Sequence, residues 1–296
     1  MIRNSSLLQS IQTGLSKSVG KVSGLTRVRD LSGGDINRAM LIKSDRNHWF
    51  VKYHDNAPKG MFEAEALALQ EISSTGCIRV PEAIAWGADG STSWLVLEYL
   101  QLTPGGPANI LGEQLAAMHE VTAGCFGWSH DNYIGSTPQL NQETDGWIEF
   151  WRDYRLKPQL AIAQTAGHGS RLLDRGERLL AGLDQLLCNH RPAPSLLHGD
   201  LWSGNKAFLS NGQPVIFDPA SYYGDREADL AMTELFGGFD PSFYDAYRAN
   251  SSLPDGYTLR RELYNLYHML NHLNLFGAGY LTRCECIIDD LLVETG

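Results

Sequence analysis

Two polar loops joined by a single hairpin constrain this chain more than any other feature. The run S195-L-L-H-G-D-L-W-S-G-N-K-A-F-L209 is followed closely by P214-V-I-F-D-P-A220. Leu196 and Leu197 are apolar, and His198-Gly199-Asp200 breaks the pattern. Asn205 follows Asp200 by five residues, with Ser203-Gly204 between them to allow a tight loop. Ala207-Phe208-Leu209 reads as a short strand, Asn211-Gly212 is a strong hairpin-turn signal, and Pro214 to Phe217 reads as the return strand. A hairpin brings its two ends together, which predicts Asn205 and Asp218 side by side. Asp, Asn and Gly are each common in turns, so the weight rests on the constellation. That constellation suits phosphoryl transfer from ATP. Asp200 can orient a hydroxyl and accept its proton, and Asn205 and Asp218 offer the oxygen atoms that Mg²⁺ prefers.

The rest of the chain divides around a Pro/Gly linker, T103-P-G-G-P107. Before it, residues 7–19 and 62–72 read as helices, and 25–54 and 80–100 as strands. After it helical spacing dominates, with Leu111, Leu115 and Met118 on one face. Further helices are expected near 146–165, 170–188, 226–236 and 258–292, interrupted by the hairpin at 206–217. The expectation is an α+β chain of two lobes with a cleft between them. The β-rich lobe spans 1–100 and grips the nucleotide. The mainly helical lobe spans 101–296 and carries the catalytic loop, the metal-binding hairpin and the acceptor site.

The first lobe supplies candidates for the nucleotide. Gly33 and Gly34 sit in a turn between two strands, where backbone N–H groups can approach phosphate oxygens. The strand H48-W-F-V-K-Y53 alternates, so Lys52 shares a face with Phe50. An ammonium among apolar neighbours needs an anionic partner. The following helix offers Glu63 and Glu65. Glu65 lies on a stripe with Ala68, Leu69 and Ile72, the expected inward face, so Lys52–Glu65 is the predicted ion pair. Glu98, Tyr99 and Leu100 end a strand just before the linker, where backbone groups could meet an adenine edge and Leu100 could cover the ring.

Charge and composition narrow the partners. The net charge is −10. Residues 1–100 carry +1 and residues 101–296 carry −11, a balance unsuited to nucleic acid and tolerant of a cationic substrate. No apolar run is long enough to span a membrane, and the first residues lack the pattern of a signal peptide. Five scattered cysteines read as reduced thiols, which points to the cytoplasm. Oligomeric state is not legible.

These parts, in this order, resemble the protein-kinase-like fold, and more closely the fructosamine 3-kinase (ketosamine 3-kinase) family. The residues that carry the likeness are L197-H-G-D-L-W-S-G-N205, F217-D-P-A-S-Y-Y-G-D-R-E-A-D-L-A-M232 and E234-L-F-G-G-F239, with F126-G-W128, T137-P-Q139 and R155-L156. The likeness covers nearly the whole chain. It implies transfer of phosphate from ATP to the 3-hydroxyl of a ketosamine, small or borne on a glycated protein lysine. It also implies Asp200 as base, Asn205 and Asp218 as Mg²⁺ ligands, Lys52 and Glu65 as the phosphate-positioning pair, and Glu98 to Leu100 as the adenine strip. Trp202, two residues after the base, could pack on a sugar face. The chain has Gly199 where protein kinases have Arg, Asp218-Pro219-Ala220 in place of Asp-Phe-Gly, and no Ala-Pro-Glu segment. These departures suggest a small-substrate kinase. Asp35 stands where some relatives have a glycine-loop Cys.

Asp225, Arg226, Glu227 and Asp229 form a dense charged cluster. Arg226 could pair within it and Asp229 could brace the catalytic loop, or the cluster could be a solvated helix start. His198 is read as bracing the loop rather than as the base. Two alternatives stand beside the ketosamine kinase. One is an aminoglycoside- or choline-type phosphotransferase. The other, of a different class, is a non-catalytic pseudokinase binding module.

Overall fold

The computed structural model describes residues 2–31, 37–44 and 47–295. The chain divides into two compact units, Met1–Pro107 with Lys206–Pro219, and Ala108–Asn205 with Ala220–Gly296. In the first, α1 (Ile2–Val19) precedes three antiparallel strands, β1 (Thr26–Leu31), β2 (Arg38–Lys43) and β3 (His48–Asp55). Helix α2 (Met61–Ser74) then leads to β4 (Ala83–Asp89) and β5 (Thr92–Glu98). The strands form one antiparallel sheet in the order β1-β2-β3-β5-β4, so β3 is central. Its register sets Lys52 opposite Ala39 on one side and Leu95 on the other.

The core of this unit follows from the sequence pattern. Leu7, Ile11 and Leu15 recur at four-residue spacing, one face of a helix. They pack in one cluster with Met40, Ile42, Trp49, Val51, Trp94 and Val96. Ser10 anchors α1 by accepting the Trp94 indole N–H at 3.1 Å. On α2, Ala68, Leu69 and Ile72 are buried as expected.

Strand β6 (Leu102–Thr103) lies in the linker. The second unit opens with α3 (Ala108–His119) and the short strands β7 (Asn132–Ile134) and β8 (Thr137–Gln139). Helix α4 (Trp147–Trp151) passes through a π-helical turn, Arg152–Leu156, into α5 (Lys157–Thr165), and α6 (Ser170–Leu186) follows. Strand β9 (Ser195–Leu196) leads into the polar loop. The hairpin is β10 (Lys206–Leu209) and β11 (Pro214–Ile216), and it pairs in the first unit rather than the second. Phe208 and Leu209 lie opposite Thr103 and Leu102 of β6, and the Ile216 N–H donates to the Arg79 carbonyl at 3.0 Å. Asn211-Gly212 makes the turn, with Gly212 at φ +84° and its N–H on the Leu209 carbonyl.

The chain returns to the second unit through β12 (Tyr223–Gly224), which pairs with β9, and continues into α7 (Glu227–Leu235), α8 (Pro241–Asn250), α9 (Tyr257–Phe276) and α10 (Leu281–Val293). Two expectations need correction. The long helix near 258–292 is two helices, because Gly277 turns the chain at φ +91°. Helix α8 was not anticipated, although its signals are present. Pro241 fills the first turn and the Asp240 side chain accepts the Ser242 N–H.

Candidate active site

The candidate residues of the first unit form a charge group. Lys52 sits mid-strand in the sheet and is 6% exposed. Its ammonium lies 2.7 Å from a Glu65 carboxylate oxygen and 2.5 Å from one of Asp218. Burial alone would lower its pKa, but the two carboxylates outweigh burial and hold it above the ordinary lysine value. Burial pushes the Glu65 carboxyl up, and the Lys52 ammonium pulls it back. Glu65 is therefore the helix carboxylate that faces the strand lysine, while Glu63 is exposed. Asp218 holds its backbone at φ +61°, a left-handed value uncommon outside glycine but tolerated by Asp and Asn. That turn follows directly from the end of the hairpin at Ile216.

The strand end expected to border adenine is partly committed to structure. The Glu98 N–H donates to the Glu82 carbonyl at 2.9 Å, and the Glu98 carboxylate pairs with Arg79. Tyr99 and Leu100 are half-buried, with the Tyr99 ring 6.2 Å from His48. The Arg79 guanidinium, a partner that sequence reading did not find, thus fixes the end of β5 while its backbone holds the hairpin. Gly33 and Gly34, and Asp35 with them, lie outside the described residues.

The candidate residues of the second unit are held by backbone. The loop leaves β9 through fully buried Leu197 and His198. Asp229, on the first turn of α7, accepts the His198 N–H at 2.7 Å and the Gly199 N–H at 2.8 Å. His119 of α3 lies 3.2 Å from the same carboxylate, and its other ring nitrogen is 2.8 Å from the Tyr247 hydroxyl. Burial by itself would raise the Asp229 pKa, but His119 and these loop contacts hold it below the ordinary aspartate value. Gly199 has φ +82°, and a Cβ there would stand 2.1 Å from the Ala220 carbonyl oxygen. No other residue fits. This is a local reason for Gly in the His-Gly-Asp run.

Asp200 follows, half-exposed, its N–H on the His198 Nδ1 at 3.2 Å. His198 therefore braces the loop, as its position suggested. The Asn205 amide nitrogen donates to the Asp200 carbonyl at 2.8 Å and approaches its carboxylate at 3.3 Å. This fixes the carboxylate's orientation and leaves the Asn205 carbonyl oxygen as a hard donor. Asp218 meets Lys52 through one carboxylate oxygen, and a carboxylate has a second. Both residues thus offer the oxygen atoms that suit Mg²⁺. Trp202 is 39% exposed and so lies outside the core. Its ring folds over Gly204, where an added Cβ would meet it at 2.2 Å.

In the acidic cluster after the hairpin, Asp229 braces the loop as expected, but the other two expectations need correction. Asp225, Glu227 and Asp229 are each 1% exposed, so this is no solvated helix start. Arg226 does not pair within the cluster; it donates to the Ser252 carbonyl. The partner of Glu227 is Arg260 on α9, through two bonds of 2.6 and 2.8 Å. Asp225 meets His190 and the Tyr264 hydroxyl, each at 2.5 Å. His190, Asp225 and Glu227 are close enough together to hold a cation. Their carboxylates are already committed to Arg260, Tyr264 and His190, which makes the cluster an anchor for α7.

A second buried network surrounds Arg155. Its guanidinium lies 3.9 Å from the Tyr222 ring centre and donates to Asn141 at 2.7 Å. Asn141 bonds Asn132, Asn132 donates to the Ser221 carbonyl, and Gln139 donates to the Ala220 carbonyl. The sequence reading singled out T137-P-Q139 and R155-L156 without assigning them work. They hold the backbone just after Asp218-Pro219.

Residues 7–294 match the fructosamine kinase family model. A probable ketoamine kinase of Synechocystis is 43% identical over 288 residues, covering 96% of each chain. A chloroplastic protein-ribulosamine 3-kinase of Arabidopsis thaliana is 42% identical over 92% of this chain and 85% of its own length. A crystal structure from Haemophilus somnus assigned as a fructosamine-3-kinase superposes with a TM-score of 0.87 at 29% identity, covering 95% of this chain and 96% of that one.

Proposed function

The chain belongs to the fructosamine kinase family, and from that premise we propose that it phosphorylates the 3-hydroxyl of ketosamines such as fructosamines and ribulosamines, free or on protein lysines, at the expense of ATP. Its α+β, protein-kinase-like fold and its ATP-dependent phosphotransferase class agree with this reading. The observation that carries it is the pair of bonds from Asn205 to Asp200 on a half-exposed loop clamped from beneath by Asp229. The family match extends over almost the whole chain, so an aminoglycoside- or choline-type acceptor is not favoured. Lys52, Asp200, Asn205 and Asp218 are all present, which disfavours a pseudokinase.

In this reading the Asp200 carboxylate accepts the proton of the attacking hydroxyl as its oxygen bonds to the γ-phosphorus and the bond to ADP breaks. Lys52, kept charged by Glu65 and Asp218, binds phosphate oxygens. Gly33 and Gly34 contribute backbone N–H groups, and Tyr99 and Leu100, with Glu98 fixing the strand end, border the adenine. Asn205 and Asp218 would hold Mg²⁺, which when bound supplies neutralising charge for the phosphates. Trp202 offers an aromatic face to the sugar. No helix among the described residues is long and apolar enough to cross a membrane. All five cysteines are free thiols, which suits a reducing compartment such as the cytoplasm.

The test is an ATP-consumption panel with fructosamine, ribulosamine, erythrulosamine, choline and aminoglycoside acceptors. Turnover confined to the sugar-amines is expected. Turnover of choline or an aminoglycoside alone would overturn the acceptor assignment and leave the kinase.

A further inference from the structure

Four aromatic rings of the second unit have no part in the reaction as described. Phe236 caps α7 at its C-terminal end, His272 and Phe276 lie one turn apart on α9, and Tyr280 follows that helix. The His272 ring is the hub. The centres of Phe236, Phe276 and Tyr280 stand 5.1, 5.4 and 5.2 Å from it, all tilted by 50–55°. Phe236 and Phe276 are 45% and 47% exposed. Exposed aromatic rings gathered around one centre mark a binding surface more often than rings scattered singly.

This cluster is tied to the catalytic loop by the next two residues. Gly237 and Gly238 both take left-handed φ values, +70° and +89°. Gly238 comes so close to the loop that an added Cβ would stand 2.6 Å from the Ser203 Cβ. Ser203 is three residues beyond Asp200 and adjacent to Trp202. Phe236 is two residues from Gly238, which keeps it within about 7 Å of that contact along the chain. The run E234-L-F-G-G-F239, singled out in the sequence without a role, thereby carries an aromatic ring to the edge of the base-bearing loop.

The hub has a defined chemistry. The His272 Nδ1 donates to the His268 carbonyl at 2.8 Å. With that proton fixed on Nδ1, the neutral ring keeps Nε2 as an acceptor. Burial lowers the His272 pKa, so the ring carries no charge at neutral pH. Three aromatic rings in contact with an uncharged imidazole suit an alkylammonium. The rings attract the cation and cover its methylenes, and the nitrogen accepts one N–H. A ketosamine presents such a group next to the sugar.

We propose that Phe236, His272, Phe276 and Tyr280 form the subsite for the protonated nitrogen of the acceptor and its alkyl substituent. The inference rests on the ketosamine reading and adds the element that selects among ketosamines. The subsite favours acceptors with a long alkyl chain on the nitrogen, such as a glycated lysine, over those with a methyl group.

The test uses the full-length enzyme with two fructosamines that differ only at nitrogen, one made from an N-capped lysine and one from methylamine. Phe236→Ala and Phe276→Ala truncate half-exposed rings, so melting temperatures should stay near wild type. Each should raise KM for the lysine-derived acceptor about tenfold and for the methylamine-derived acceptor less, with KM for ATP unchanged. His272→Lys places a charge at the hub and should raise both acceptor KM values further, whereas His272→Gln should fall between. A wild-type enzyme that phosphorylates fructosamines while both Phe variants keep wild-type acceptor KM values overturns the subsite alone. Equal increases for ATP and acceptor also overturn it. A wild-type enzyme that phosphorylates no ketosamine overturns the reaction and the subsite together.

Discussion

The Lys52 group and the Asp200 loop solve the same problem, holding an ionisable side chain in place, by opposite means. Lys52 is held by side chains. Two carboxylates from distant parts of the sequence converge on its ammonium. Asp200 is held by backbone. Its own N–H rests on His198, and the amides before it are clamped by Asp229. In the proposed function the first arrangement fixes a charge for binding an anion. The second fixes a direction, which the general base proposed for Asp200 needs more than it needs a counter-ion. The difference teaches where each half should be fragile. The charge group should fail in binding and phosphate positioning, and the loop should fail in the proton-transfer step.

The largest effect expected is at Asp200. Asp200→Asn keeps the shape and the bonds from the backbone but removes the proton acceptor. It should lower kcat by about 10²–10⁴-fold while nucleotide binding, read by calorimetry, stays near wild type. Loss of nucleotide affinity equal to the loss in kcat would erase the division between the two halves. Lys52→Met comes next. It should lower kcat/KM for ATP by roughly 10²–10³-fold with KM for the acceptor little changed. An acceptor-specific defect would show that the charge group does not serve the nucleotide.

The two halves also differ in how far they could be read from sequence. The Lys52–Glu65 pair was legible because each residue lies in a regular element. Strand alternation oriented the lysine, and the 3-4-7 stripe separated Glu65 from Glu63. The hairpin was legible because Asn-Gly marks its turn. The clamp beneath Asp200 was legible only at one end. Asp229 suggested itself as a brace, but His119 and Tyr247 are 110 and 18 residues from it in sequence and carry no local pattern that points there. The same holds for Arg260, which pairs with Glu227 in a cluster where Arg226 was the expected cation. Strands β7 and β8, three residues each, are too short to show alternation. Long-range polar pairing and very short strands leave no period to detect.

Asp229 sharpens the comparison through pH. Its pKa is depressed in the folded protein. Its stabilising contribution is therefore full above the unfolded aspartate pKa, near 3.9, and is lost as pH falls through the lower folded value. Asp229→Asn should cost roughly 1.5–3 kcal/mol at pH 7, measured by urea unfolding. The gap from wild type should narrow below about pH 4. Lys52 runs the other way. Its pKa is raised, so its contribution is full below the ordinary lysine value and fades only as pH climbs past it. A gap at Asp229→Asn that widened toward acid would mean the carboxylate is not held charged, and the loop would need another anchor.

The smallest effect expected is at Trp202, and it decides which substrate each half serves. The ring is exposed and folds over Gly204 on the loop that carries Asp200. Removing it takes no packing from the core, so Trp202→Ala should melt close to wild type. An aromatic face on a sugar covers its apolar side while its hydroxyls stay free to hydrogen-bond. A contact of that kind is worth about 0.5–1.5 kcal/mol, which corresponds to roughly a twofold to twelvefold rise in KM. That rise should fall on the acceptor and leave KM for ATP unchanged in steady-state kinetics with each substrate varied in turn. The opposite pattern would assign the loop to the nucleotide. The division would then not be between a charge group for ATP and a backbone-held loop for the acceptor, because both would serve the same substrate.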